Sequence, residues 1–260
     1  MYTIGASTCG HMPTEELFSA YRQHGIEAME ISLKADGYEA MDFQRTAELA
    51  RAYGIVLHSL HLPFKSSLIN IARPDLAKQT VARHKELIRR SGEMGIQYCI
   101  VHPSGEPITA EDRQGQMACA CESLYTLAEV AKQNGVILAV EDLPRTCLGN
   151  TIADMHTLLS AHPSLRVCFD TNHLLSDDPI AFIRELGDRI VTLHVSDYDF
   201  VDERHWLPGE GQLDWPAILE ALSAVSYKGV WLYEVIFSLT GEDGMRTLAD
   251  VAANAHKLLA

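Results

Sequence analysis

Short apolar runs alternate with longer amphipathic stretches along the whole chain. The runs occupy residues 2–6, 28–33, 56–62, 98–102, 137–141, 167–170, 190–195 and 230–234. Each is bounded by turn or polar residues. Unbroken apolarity over so few positions predicts strands buried on both faces, as in a parallel sheet covered by helices. The stretches between them carry helical spacing. Met117, Cys121, Leu124, Ala128 and Ala131 form one face, Ile152, Met155, Leu158 and Leu159 a second, and Met245, Leu248, Ala252, Ala255 and Leu259 a third. Thr14, Thr109 and Thr151 stand before acidic first turns and predict N-caps. Gly25, Gly54, Gly95, Gly135 and Gly229 stand between helix and strand, where a left-handed C-cap ends a helix.

Eight strand–helix units in 260 residues predict an α/β fold, a single (β/α)8 TIM barrel. A doubly wound open sheet shares the alternation. No glycine-rich G-x-G-x-x-G or P-loop follows any strand, which removes support from its nucleotide-binding versions. No linker or low-complexity segment divides the chain, so residues 1–260 are expected to form one domain.

In such a barrel the active site lies at the C-terminal ends of the strands. The residues there are polar in a consistent way: His61, His102, Glu141, Asp170 with His173, His194 and Glu234, with Glu203 and His205 on the loop after the seventh strand. Every one of these side chains can ligate a divalent metal. Singly, each has an ordinary explanation, since a strand-end histidine can be a hydrogen-bonded structural residue and Asp170 can cap a turn. Together they do not. In "LAVEDL" and "WLYEV" the chain stays apolar beyond Glu141 and Glu234, and carboxylates held in such runs need a proton or a cation. Several acids aimed at one barrel mouth repel one another unless a metal neutralises them. His58 falls three residues before His61, so strict alternation sends it to the opposite face, toward the helix layer or a neighbouring side chain. The remaining histidines, His11, His24, His84, His156, His162 and His256, fall on loops and helical faces.

Charge narrows the partner class. Thirty-five acidic residues against 21 basic ones leave a formal net charge of −14, which repels nucleic-acid backbones and anionic lipid. The expectation is therefore small-molecule chemistry with no nucleic acid and no membrane. No apolar stretch approaches a bilayer span, and "MYTIGAST" reads as an immediate strand rather than a leader. The six cysteines show no C-x-x-C spacing and suit a reducing cytoplasm better than a disulfide framework.

The ordered phrases "LHLPF", "VHPS", "VED", "FDTNH", "LHVSD", "ERHWLPGEGQLDW" and "YEV" resemble the xylose-isomerase-like barrel superfamily. "FDTNH" and "PGEGQLDW" are the most specific of them. That superfamily holds sugar and sugar-phosphate isomerases and epimerases, ketose 3-epimerases among them, and endonuclease-IV-type phosphodiesterases. For the epimerases, the resemblance implies one divalent ion held by Glu141, Asp170, His194 and Glu234, with manganese first and magnesium, cobalt or zinc as alternatives. It also implies that Glu141 and Glu234 are catalytic, exchanging a substrate proton through an enediolate, and that His173 contacts substrate. For the phosphodiesterases it implies a three-zinc cluster that adds His61, His102, His173 and the Glu203–His205 pair, where glutamate replaces the usual aspartate. Epimerases usually carry a substrate-gripping arginine soon after the strand-seven histidine, whereas here Arg204 comes ten residues on. Lys65, Arg145, Arg204 and Trp206 are loop residues able to face a polyol or an anionic group. The expected activity is a metal-dependent sugar isomerase or epimerase on a small carbohydrate. A multinuclear zinc hydrolase or a sugar dehydratase on the same barrel is the alternative, and a homo-oligomer is left open.

Overall fold

The apolar runs become strands because each can bury both faces, one toward the barrel axis and one under the helices. A computed structural model describes residues 2–241 and 244–260. Along it run β1 (Ile4–Ser7), α1 (Glu15–Gln23), β2 (Ala28–Ile31), α2 (Gly37–Ala40), α3 (Phe43–Tyr53), β3 (Val56–His61), α4 (Ala77–Met94), β4 (Tyr98–Val101), α5 (Ala110–Gln133), β5 (Ile137–Glu141), α6 (Ile152–Leu159), β6 (Arg166–Asp170), α7 (Pro179–Leu186), β7 (Ile190–His194), α8 (Trp215–Ala224), β8 (Trp231–Tyr233) and α9 (Leu248–Leu258). Neighbours pair in parallel in the order β7-β6-β5-β4-β3-β2-β1-β8. The ring is completed between β7 and β8, where Val195 bridges Tyr233 and its N–H donates to the Leu232 carbonyl at 2.8 Å. The fold is a (β/α)8 TIM barrel.

Local signals act as their chemistry requires. The Thr14, Thr109, Thr151 and Asp214 side chains each accept from a backbone N–H in the first turn of the following helix. Gly54 and Gly95 cap α3 and α4 in the left-handed region, and Gly25 and Gly135 hold positive φ just after α1 and α5. Gly229 does not share this role. After α8 the left-handed residue is Ser226, at φ 59°. Gly229 is required instead by close approach, since a Cβ there would lie 2.3 Å from the Tyr227 hydroxyl. Met245 also departs from its predicted helical face, being exposed and ahead of the first residue of α9.

The outer core packs strand faces against helices through side chains such as Leu57, Leu60, Leu124, Phe169 and Trp231. A smaller apolar layer of Ile100, Ala139 and Cys168 fills the barrel axis. His58 belongs with this inner layer, contrary to strict alternation. Its Nε2 lies 3.0 Å from Thr192 Oγ1 on β7, and its ring sits 4.9 Å from that of Tyr98. The cause is a bulge. Met29 pairs with Leu57 but Glu30 pairs with Ser59, so β3 carries one residue more than β2 and its alternation resets at His58. His58 and His61 therefore both face inward, at different depths.

Candidate metal-binding active site

The C-terminal strand ends converge as the barrel requires. Glu141 closes β5 at the centre of the group. Its Oε2 lies 2.9 Å from His61 Nε2 and 3.1 Å from His102 Nε2, while its Oε1 lies 2.9 Å from His194 Nδ1. His194 Nδ1 also faces Glu234 Oε2 at 3.2 Å and Asp170 Oδ2 at 3.8 Å. His173, three residues beyond Asp170, hydrogen-bonds the Asp142 carbonyl through Nδ1 at 2.7 Å. Its Nε2 lies 3.3 Å from Glu203 Oε1. The nine residues singled out by the sequence fall into three sets, each with ligand atoms within 4.8 Å of one another: His61, His102 and Glu141; Glu141, Asp170, His194 and Glu234; and His173, Glu203 and His205.

Electrostatics argue that the four-residue set fits a cation. Asp170 is fully buried, and its Oδ2 has no hydrogen-bond partner among the described residues. Burial, then the facing Glu234 and Glu141 carboxylates, push its carboxyl well above the ordinary range. Burial also opposes charge on Glu141, but the His194 and His102 imidazoles outweigh it and hold Glu141 well below that range. The same contest lowers Glu234, where His194 overcomes burial. His194 is raised well above an ordinary histidine despite its burial, chiefly by the negative groups around it. An orphaned carboxylate oxygen among three acids and one imidazole is a hard donor set suited to a divalent ion.

The site opens into a cavity of about 190 Å³ whose wall includes Phe64, Lys65, Glu141, Arg145, Glu203 and Glu234. Arg145 is engaged by Glu106, Asp202 and Glu203, which joins the loops after β4, β5 and β7 at the mouth. Arg204 does not reach this cavity; it pairs with Asp199 and lies over the Trp206 ring. The "PGEGQLDW" loop folds back onto the end of β7 through Asp197. That carboxylate accepts from the backbone N–H groups of Tyr198, Gly209 and Leu213 and from the Trp215 indole. A side chain at Gly211 would meet Asp197 Oδ1 at 2.3 Å, so only glycine fits that crossing.

Two buried acids at this site escaped the pattern of strand endings. Glu30, on β2, receives His194 Nε2 at 3.0 Å and the Ser59 hydroxyl at 2.8 Å. Asp142 accepts from the backbone N–H of Asp170 at 2.8 Å, and burial pushes its carboxyl well above the ordinary range. Glu30 had a legible signal, an acid inside the apolar run "AMEISL", the same anomaly that marks Glu141 and Glu234.

A family model described as xylose isomerase-like TIM barrel matches residues 18–254. The chain is 26% identical over 249 residues to D-psicose 3-epimerase from Enterocloster bolteae, covering 85% of this chain and 78% of that protein. It is 28% identical over 184 residues to a probable endonuclease 4 from Thermoplasma acidophilum, covering 63% and 62% respectively. The crystal structure of a D-tagatose 3-epimerase-like protein superposes with a TM-score of 0.83 at 22% identity, covering 100% of this chain and 96% of that one.

Proposed function

The chain belongs to the xylose isomerase-like TIM barrel family, and from that premise we propose that it is a divalent-metal-dependent epimerase or isomerase of a sugar or sugar phosphate. One observation carries the reading. Glu141 and Glu234 both reach His194 Nδ1, at 2.9 and 3.2 Å, and both line the same small cavity. Glu141, Asp170, His194 and Glu234 would hold the ion. When bound, the ion supplies Lewis-acid polarisation of a carbonyl oxygen and its neighbouring hydroxyl.

The chain's own residues move the proton. Glu234 has the more open carboxylate, 16% exposed against 1% for Glu141, and His194 holds it ionised, so it is free to accept a proton from the carbon beside the carbonyl. Glu141 stands across the set, with both oxygens facing imidazoles, and serves as the second carboxylate of the exchange. Return of the proton to the opposite face yields an epimer; return at the adjacent carbon yields an isomer. In this reading residues 1–260 act as one domain on a small carbohydrate, without nucleic acid or membrane.

The grouping of all nine residues into three sets favours a second reading, a multinuclear hydrolase or phosphodiesterase. Its wide ligand supply is matched by an unfavourable mouth for a nucleic acid, since Arg145 is already neutralised by three acids.

Metal analysis with solvent-exchange measurements separates the two. About one equivalent of manganese, magnesium or cobalt per chain, with deuterium entering a ketose C–H bond, supports the epimerase. Two or three zinc ions per chain and no exchange in any ketose or ketose phosphate would sink it.

A further inference from the structure

We propose that Glu30 is a positioning residue that orients His194 toward the ligand set. The inference rests on the reading that His194 binds the ion through Nδ1. The two nitrogens of its ring face opposite ways. Nδ1 looks at Glu141, Glu234 and Asp170, whereas Nε2 looks away from them, at Glu30 Oε2 3.0 Å distant. β2 and β7 do not pair, so this contact crosses the barrel interior rather than following the sheet.

Glu30 and His194 are both 0% exposed. A carboxylate in that position is costly unless its partners offset its desolvation. Glu30 has two: His194 and the hydroxyl of Ser59, its register neighbour on β3. Its other oxygen, Oε1, has no hydrogen-bond partner among the described residues. Replacing the pair by apolar groups would avoid this cost, so its presence calls for a role beyond packing.

The role follows from donor and acceptor chemistry. A carboxylate accepts and does not donate, so the contact keeps a hydrogen on Nε2 and leaves the Nδ1 lone pair for the ion. It also blocks the ring flip that would exchange the two nitrogens. The Ser59 hydroxyl holds the carboxylate in turn, giving a relay of Ser59, Glu30 and His194 behind the ligand set. Partners of this kind fix the orientation of a ligating histidine, and their loss costs about 10- to 100-fold in metal affinity.

The test is a Mn²⁺ titration of the full chain, following free ion by electron paramagnetic resonance, for wild type, Glu30→Leu, Glu30→Gln and Ser59→Ala. Melting of each protein in chelator is measured alongside. Glu30→Leu is expected to weaken binding about 10- to 100-fold. Glu30→Gln, which keeps an accepting oxygen, should recover part of that loss, and Ser59→Ala should cost about 2- to 5-fold. The metal-free melting temperatures should not follow that ranking. Variants that bind Mn²⁺ as wild type does, or whose affinity losses merely track lost metal-free stability, overturn the assignment. If Glu30→Leu does not fold, Glu30→Gln and Ser59→Ala decide the matter by the same criterion. A wild-type protein that takes up no Mn²⁺, Mg²⁺, Co²⁺ or Zn²⁺ overturns the functional reading as well. Wild-type uptake with indifferent variants overturns only the role of Glu30.

Discussion

Replacing Asp170 by asparagine should make the metal-free protein more stable and the metal-loaded protein less so. Asp170 Oδ2 is buried without a hydrogen-bond partner among the described residues, in a set of candidate ligand atoms that all lie within 4.8 Å of one another. Two unit charges at that spacing repel by about 3.5 kcal/mol at an effective dielectric of about 20. Glu141 and Glu234 both contribute, partly offset by the His194 ring 3.8 Å away. Protonating Asp170 relieves the repulsion but has its own cost at neutral pH, consistent with the upward displacement of its pKa. Asparagine removes both penalties and is nearly isosteric. Its side-chain oxygen keeps the 2.7 Å bond from the Asn172 N–H, and its amide N–H can donate toward His173 Nε2, now 3.5 Å from Oδ2.

In chelator, Asp170→Asn should gain about 1–2 kcal/mol, raising the melting temperature by roughly 2–6 °C. With free metal at about 1,000 times the wild-type Kd, wild type should gain about 4 kcal/mol, and the variant should lose most of that gain. The two melting curves therefore exchange order between chelator and metal. Calorimetry or fluorescence melting in both conditions checks this. A variant that melts below wild type in chelator and gains as much from metal would refute the reasoning, because Asp170 would then be a structural acid rather than a ligand held against repulsion.

Glu141→Gln and Glu234→Gln should each reduce deuterium exchange into a ketose by at least about 100-fold, the range of a positioned acid or base; near-normal exchange in either removes that residue from the proton-transfer pair. Acid should destabilise the fold through His58 and His84, each lowered by burial to about 4 from 6.5. The unfolded chain takes up these protons first, so their contribution is present above about pH 6.5 and is lost as pH falls toward 4, by up to about 3 kcal/mol each. Urea unfolding across that window, with His58→Asn flattening the slope, measures it. Asp197→Ala leaves the Trp215 indole and the Gly209, Leu213 and Tyr198 N–H groups without their acceptor. It should cost at least about 3 kcal/mol in urea unfolding; a loss below 1 kcal/mol would show that water replaces those bonds.

Much of this molecule is legible in its pattern of apolar and polar positions. Continuous apolarity marks strands buried on both faces, and all eight runs become strands within a residue or two of their ends. Acids and histidines at the strand ends stand out because burying them alone is costly, which is why Glu141, His194 and Glu234 could be picked out from single phrases. Local caps were equally readable, since the Thr14, Thr109 and Thr151 hydroxyls act within their own turns.

Failures arose where a second segment decides. The bulge at His58 depends on the register of β3 against β2, and no property of "LHSLH" reports it. Ser226 rather than Gly229 takes the left-handed turn because α8 ends at Ala224 and the Tyr227 N–H closes back onto the Leu222 carbonyl, whereas Gly229 lies beyond that turn, under the Tyr227 ring. Glu30 carried the right signal, but its partner lies 164 residues away on a strand that β2 does not pair with.

By itself, then, the sequence determined which side chains would sit at strand ends, because burial and two-residue periodicity act within a few neighbours. Only the closed barrel decided how those ends group. Closure brings β2, β5 and β7 side chains to one axis, sets Glu141 between the His61–His102 pair and the Asp170–His194–Glu234 set, and leaves Asp170 Oδ2 facing other acids. Such contacts span tens to hundreds of residues, and their electrostatic energy depends on ångström separations in a dry interior that no local pattern encodes.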